Sequence, residues 1–155
     1  MRALAALLAV IAVTSAAAAE TLRIATYNTE LSRRGPGLLL RDLERGSDPA
    51  IGAVIETIAA VQPDVLALQG FDWDLDLLAL KAFERRLALA GAPYPHLFAL
   101  QPNSGLASGL DLDGDGRTGG PGDAQGYGRF TGQGGMAVLS RLPILSGEAH
   151  DLSPL

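Results

Sequence analysis

The segment Pro63–Gln69 reads PDVLALQ, and its apolar centre decides how the chain is layered. Val65–Gln69 is a short apolar run with Pro63-Asp64 before it and Gly70 after it, which predicts a buried β-strand. A buried strand has to lie inside the protein, with other elements packed around it.

Other runs on either side of this segment also predict strands. Leu22–Tyr27 (LRIATY) precedes it and ends at Asn28, while Tyr94–Leu100 and Met136–Ser140 (MAVLS) follow it. Ile144–Leu152 is a further strand candidate.

Helical patterns alternate with these strands. Ser47 or Asp48 is placed to cap a helix that has Pro49 at its first position. Any of three acids, Asp72, Asp74 or Asp76, can cap a second helix. The residues that recur at helical spacing are Ile51, Val54, Ile55, Ile58 and Val61 in the first, and Leu77, Leu80, Phe83 and Leu87 in the second. A short helical turn is also expected around Leu38–Leu43. The element order predicts an α/β fold with helices covering sheet faces.

The Gly-rich segment Asn103–Pro143 carries Asp111, Asp113 and Asp115 at every second position, followed by Gly116. Alternating carboxylates closed by a glycine match the first half of a calcium loop, because hard cations need several oxygen ligands at short range. The second half does not match: the twelfth position, which calls for a bidentate Glu, is Gly122, and Asp123 follows it. The alternative is a polar surface turn with self-hydrogen-bonding Asp side chains.

Length and composition indicate one domain, residues 20–155, that has to rest on its apolar core, since the chain has no cysteine. The formal net charge of −5 argues against a broad basic surface for nucleic acid. Residues 1–19 match a signal peptide, with Arg2, the apolar run Ala3–Val13 and a small-residue cleavage site before Glu20. A periplasmic or secreted location is therefore expected; an uncut membrane anchor is the alternative.

Three stretches resemble the endonuclease/exonuclease/phosphatase superfamily, in the order in which that family has them. LRIATYN (Leu22–Asn28) is similar to its first strand, PDVLALQ (Pro63–Gln69) to its second, and GMAVLSRLPI (Gly135–Ile144) to a later strand and its exit. The resemblance implies a four-layer α/β sandwich with mixed β-sheets, of which this chain would hold the N-terminal part. It also implies hydrolysis of phosphoesters with Mg²⁺ or Mn²⁺.

The same resemblance implies site residues at the strand ends. Asn28 corresponds to a metal-binding Asn, but Gly70 stands where the family usually has a metal-binding Glu. Asp72 is the best available replacement, with Asp74 close by and Glu30 as a lesser candidate. Their alternative roles are an Asx-turn for Asn28 and helix capping for Asp72. The family's later Asp-x-Asn and Asp-His motifs are not recognisable, so the chain is expected to be an N-terminal fragment that is inactive alone.

Four polar residues of the glycine-rich segment are candidates for contacting substrate: Asn103, Asp123, Gln125 and Tyr127. Two functions remain open. One is an exported, metal-dependent phosphodiesterase, nuclease or phosphatase, with nucleic acid disfavoured by charge. The other is a non-catalytic interaction module that binds Ca²⁺ through Asp111, Asp113 and Asp115.

Overall fold

The computed structural model describes residues 21–145. Their strands are β1 (Ile24–Asn28), β2 (Val65–Phe71), β3 (His96–Phe98) and β4 (Gly135–Ser140). The helices are α1 (Leu38–Arg45), α2 (Pro49–Val61) and α3 (Leu78–Leu89), and a single 3-10 turn covers Pro121–Asp123. The predicted signal peptide and most of the strand candidate Ile144–Leu152 lie outside the described residues; Ile144 and Leu145 are not in a strand.

The four strands form one mixed sheet in the order β1-β2-β4-β3. β1 and β2 are parallel, with Asn28 beside Gln69, whereas β4 is antiparallel to both β2 and β3. The α/β class and the mixed sheet are therefore confirmed. The four-layer sandwich stays a prediction, because residues 21–145 contain one sheet and one helical layer.

All three helices pack on the same face of the sheet. Leu66 and Leu68 of β2 and Leu139 of β4 are at most 1 % exposed and belong to one core cluster with helix residues. The helix residues in this cluster include Leu39 and Leu43 of α1, Ile51, Val54, Ile55 and Ile58 of α2, and Leu80, Phe83 and Leu87 of α3.

Side-chain caps fix where two helices begin. Asp48 accepts hydrogen bonds from the backbone N–H groups of Ala50 and Ile51, with Pro49 at the first helical position, as predicted. Of the three acids before α3, Asp74 does the capping: it accepts from the N–H groups of Leu78 at 2.6 Å and Ala79 at 2.8 Å.

Arg33 ties the segment after β1 to the helical layer. Its guanidinium pairs with Asp42 of α1 at 2.9 Å and with Asp48 at the start of α2 at 2.7 Å. The hydrogen bond from Arg33, followed by that from Arg41, holds the pKa of Asp42 below its usual value. Ion pairs of Arg33 thus hold the segment after β1 against the helical layer.

No helix within residues 21–145 is both long enough and apolar enough to cross a membrane.

The opposite face of the sheet has no covering layer among the described residues. We call it the open face; it comprises Ile24, Thr26 and Asn28 of β1, Ala67 and Gln69 of β2, Phe98 of β3, and Met136 and Val138 of β4. Ile24 is 73 % exposed and Met136 is 68 % exposed. A groove of about 530 Å³ crosses this face.

Candidate metal and substrate site

The carboxyl ends of the parallel strands β1 and β2 bring Asn28, Glu30 and Gly70 together. Thr29 holds the two ends in register, because its N–H donates to the Gln69 carbonyl at 2.9 Å and its hydroxyl donates to the same oxygen at 3.0 Å. Asn28 is exposed on the open face, and its side-chain oxygen accepts the N–H of Glu30 at 3.4 Å. The strand ends thus form one polar edge, as the sequence predicts.

Gly70 occupies a conformation and a space that only glycine fits. Its φ of +67° lies in the left-handed region, at an irregularity in the pairing of β2 with β4. A Cβ at this position would lie 2.6 Å from Asn28 Oδ1 and 3.1 Å from the Glu30 nitrogen. A Glu side chain of the kind that the resemblance implies therefore has no room here, because even its Cβ would overlap the Asn28 oxygen.

The donor chemistry at this edge fits a divalent metal. The Asn28 amide oxygen and the Glu30 carboxylate are hard oxygen donors of the kind that Mg²⁺ and Mn²⁺ prefer. Both residues border Gly70: a Cβ there would lie 2.6 Å from Asn28 Oδ1 and 3.4 Å from the Glu30 Cα. Asn28 and Glu30 are thus candidates to hold such an ion beside the predicted Asp72, and metal binding at this edge stays a prediction.

Asp72 is placed differently. It is 6 % exposed, and its two carboxylate oxygens accept the backbone N–H groups of Arg33 at 2.7 Å and Gly134 at 2.9 Å. It also lines a pocket with Leu39 of α1 and Leu78 of α3, on the helical side of the sheet. It does not cap α3. Metal binding by Asp72 stays a prediction.

The predicted substrate residues fall into separate places. Asn103 lines the groove on the open face together with Gln69, the neighbour of Asn28 in the sheet. Gln125 and Tyr127 are exposed elsewhere on the glycine-rich segment, and Tyr127 is 75 % exposed. Gln101 also lines the groove and was missed in the sequence, where nothing distinguishes it from other polar loop residues.

Asp123 is buried and organises the glycine-rich segment from inside. One of its oxygens accepts the N–H of Leu112 at 2.9 Å, and the other accepts those of Gly119 at 3.0 Å and Gly120 at 2.8 Å. The bonds from Gly120 and Leu112 are the main reasons that its pKa lies below the usual value. Contact of Asp123 with substrate stays a prediction, and its observed contacts are with its own loop.

The three alternating carboxylates do converge. Asp111, Asp113 and Asp115 are exposed, and one ligand oxygen from each lies within 4.8 Å of the others. Gly122, the twelfth position of the loop, returns to this cluster: a Cβ there would lie 2.3 Å from an Asp113 oxygen. Oxygens of all three carboxylates also accept backbone N–H groups of the same loop, as the alternative of a surface turn predicts, so the arrangement is compatible with either role.

Comparison with known proteins gives one match. Residues 25–155 match the model of the endonuclease/exonuclease/phosphatase family. No curated protein and no solved structure matches the chain. The match spans the strand ends, the groove and the acidic loop.

Proposed function

Because the chain belongs to the endonuclease/exonuclease/phosphatase family, we propose that it acts as a metal-dependent phosphoester hydrolase whose metal lies at Asn28. The family is hydrolytic and in general depends on divalent metals. The observation that carries the proposal is the exposed Asn28 side chain at the carboxyl end of β1, directly beside Glu30 and Gly70. Two carboxylates compete for the charged ligand position, Asp72 and Glu30.

The surroundings of Asn28 suit a substrate with an apolar part beside its phosphoester group. The groove on the open face is lined mainly by apolar residues, many of them from β2 and β4, and Gln69 and Asn103 are among its polar lining residues. Asn103 and Gln69 can donate hydrogen bonds to phosphoryl oxygens, while a divalent metal, when bound, polarises the phosphoryl group. The net charge of −5 favours a small phosphoester over a nucleic acid backbone.

The test is hydrolysis of bis(4-nitrophenyl) phosphate by the full-length gene product with Mg²⁺ or Mn²⁺. We expect Asn28→Ala to lower kcat/KM by about 100-fold, since it removes a ligand. Glu56→Gln changes an exposed residue of α2 and should leave kcat/KM unchanged. Equal activity of wild type and Asn28→Ala would refute the proposed site.

A non-catalytic calcium-binding module is the second candidate, and the convergence of Asp111, Asp113 and Asp115 favours it. Three charged ligands without a twelfth-position Glu should bind Ca²⁺ weakly, with a Kd of about 0.1–1 mM. Titration calorimetry should show binding heat for wild type and none for the Asp113→Ala, Asp115→Ala double variant. Equal heats would rule out the loop as the calcium site.

We also propose export of the protein, on the basis of the apolar segment Ala3–Val13 alone. N-terminal sequencing of the exported protein should begin at Glu20. An intact Met1–Ala19 on the exported chain would contradict this proposal.

A further inference from the structure

We propose that Glu30 supplies the carboxylate ligand that Gly70 cannot, so that the charged metal ligand of this protein comes from the end of β1 and not from β2. This inference rests on the proposed metal site at Asn28. It assigns a role to a residue that the sequence ranks below Asp72.

The first argument is the location of Glu30. A Cβ at residue 70 would lie 3.4 Å from the Glu30 Cα and 2.6 Å from Asn28 Oδ1. Glu30 and the neutral ligand are thus immediate neighbours at residue 70. Three rotatable side-chain bonds allow the Glu30 carboxylate to turn towards the Asn28 oxygen.

The second argument is that the competing carboxylates are already engaged. Both oxygens of Asp72 accept backbone N–H groups, and so do both oxygens of Asp74 at the start of α3. Within residues 21–145, no hydrogen bond or ion pair engages the Glu30 carboxylate. Glu30 is therefore the carboxylate at this edge whose oxygens are free for a cation.

The third argument is the backbone of Glu30, with a φ of +52°. Two other non-glycine residues among those described have positive φ, and both lie at helix ends: Gln62 follows α2 and Leu77 precedes α3. Glu30 flanks no helix. Left-handed non-glycine residues are strained and concentrate at functional sites, which fits a residue held for its side chain.

The experiment measures Mn²⁺ binding by electron paramagnetic resonance, without any assay of activity. It uses the full-length protein carrying Asp113→Ala and Asp115→Ala, so that the acidic loop does not contribute. In this background we expect Glu30→Gln to weaken Mn²⁺ binding by about 10-fold or more, because affinity follows the number of charged ligands. Glu56→Gln, an exposed Glu of α2, is the matched control and should bind Mn²⁺ as the background does.

A second variant separates ligand binding from folding. Glu30→Gly removes the side chain and also the strain of a non-glycine residue at positive φ. The urea-unfolding midpoint of this variant should therefore equal or exceed that of the background protein. Its Mn²⁺ affinity should nevertheless fall as far as that of Glu30→Gln. If Glu30 had a purely structural role, Mn²⁺ affinity would fall only together with the urea-unfolding midpoint.

The outcomes distinguish this inference from the proposed function. If Asn28→Ala weakens Mn²⁺ binding and Glu30→Gln does not, the inference is wrong and the metal site at Asn28 stands. Loss of binding with Asp72→Asn but not with Glu30→Gln would likewise overturn it in favour of Asp72. If the background protein binds no Mn²⁺, the proposed metal site and the inference fail together.

Discussion

At the scale of single residues, Gly70 shapes the site through its backbone. Its left-handed φ turns β2 at the point where the strand reaches Asn28, and the absence of a side chain lets the Asn28 oxygen lie against it. A residue with a Cβ would meet the backbone of Glu30 as well as the Asn28 side chain. The stability of the strand end and the proposed metal site therefore both depend on residue 70.

We expect Gly70→Ala to be more destabilising than Gly46→Ala. Gly46 has nearly the same φ, +73°, but nothing lies within 4 Å of its added Cβ. The left-handed conformation alone should cost Gly46→Ala about 1–2 kcal/mol. Steric overlap with Asn28 and Glu30 should add about 1–3 kcal/mol for Gly70→Ala. Urea unfolding followed by the fluorescence of the single tryptophan, Trp73, measures both. An equal loss of unfolding free energy in Gly70→Ala and Gly46→Ala would show that the strand end relaxes around the new methyl group.

At the scale of elements, the glycine-rich segment is ordered by its own contacts. Isolated β-bridges join Ser104 to Gly126 and Ala107 to Ala124. The Asp123 carboxylate accepts hydrogen bonds from three backbone N–H groups inside the loop. A long loop without regular secondary structure can be ordered in this way when its ends are close and its polar groups are paired.

The lowered pKa of Asp123 predicts that the stability of the protein is sensitive to acid. A carboxyl whose folded pKa lies below its unfolded value contributes stability above the unfolded pKa, near 3.8, and this contribution is lost as pH falls through the folded pKa. Wild type should therefore be more stable than Asp123→Asn at pH 6, and the difference should shrink between about pH 4 and pH 2. Urea unfolding across this range, with EDTA present, checks the expectation.

The matched control for this measurement is Asp76→Asn, at an exposed position before α3. It should follow the wild-type pH profile. A difference between wild type and Asp123→Asn that stays constant down to pH 2 would show that Asp123 acts through packing and not through its charge.

Local signals explain which elements the sequence predicts correctly. The cap at Asp48 with Pro49 after it, and the apolar run of β2, are decided by neighbouring residues and appear where expected. β2 runs on to Phe71, beyond the predicted end at Gln69, because Gly70 absorbs the irregularity in its pairing with β4. The partner strand β4 lies far along the chain, so no pattern in the neighbouring sequence predicts that β2 extends to Phe71.

The arrangement around Asp72 could not be predicted from the sequence for the same reason. Its hydrogen-bond donors, Arg33 and Gly134, are 39 and 62 residues away. Sequence spacing places Asp72 near the end of β2, but only the folded chain shows that backbone N–H groups already occupy both oxygens. The insertion of β4 between β2 and β3 is equally non-local.

At the scale of the whole molecule, the two faces of the sheet differ in how far their apolar side chains are buried. One face is buried under the helical layer, whereas Ile24, Phe98 and Met136 on the open face are 73 %, 37 % and 68 % exposed. Contiguous apolar surface of this kind drives association in water. The polypeptide of residues 20–155 should consequently self-associate through this face as its concentration rises.

We expect an Ile24→Thr, Met136→Thr double variant to raise the dissociation constant for self-association by about 10-fold, since it removes apolar area from the open face. Threonine keeps the preference for strand conformation, and both positions are exposed, so stability should change by no more than about 0.5 kcal/mol. Leu89→Thr is the control: this side chain is 89 % exposed, but it lies on α3, behind the sheet. Sedimentation equilibrium measures the association of all three proteins. If Leu89→Thr lowers association as much as the double variant does, the open face is not the surface that joins the molecules.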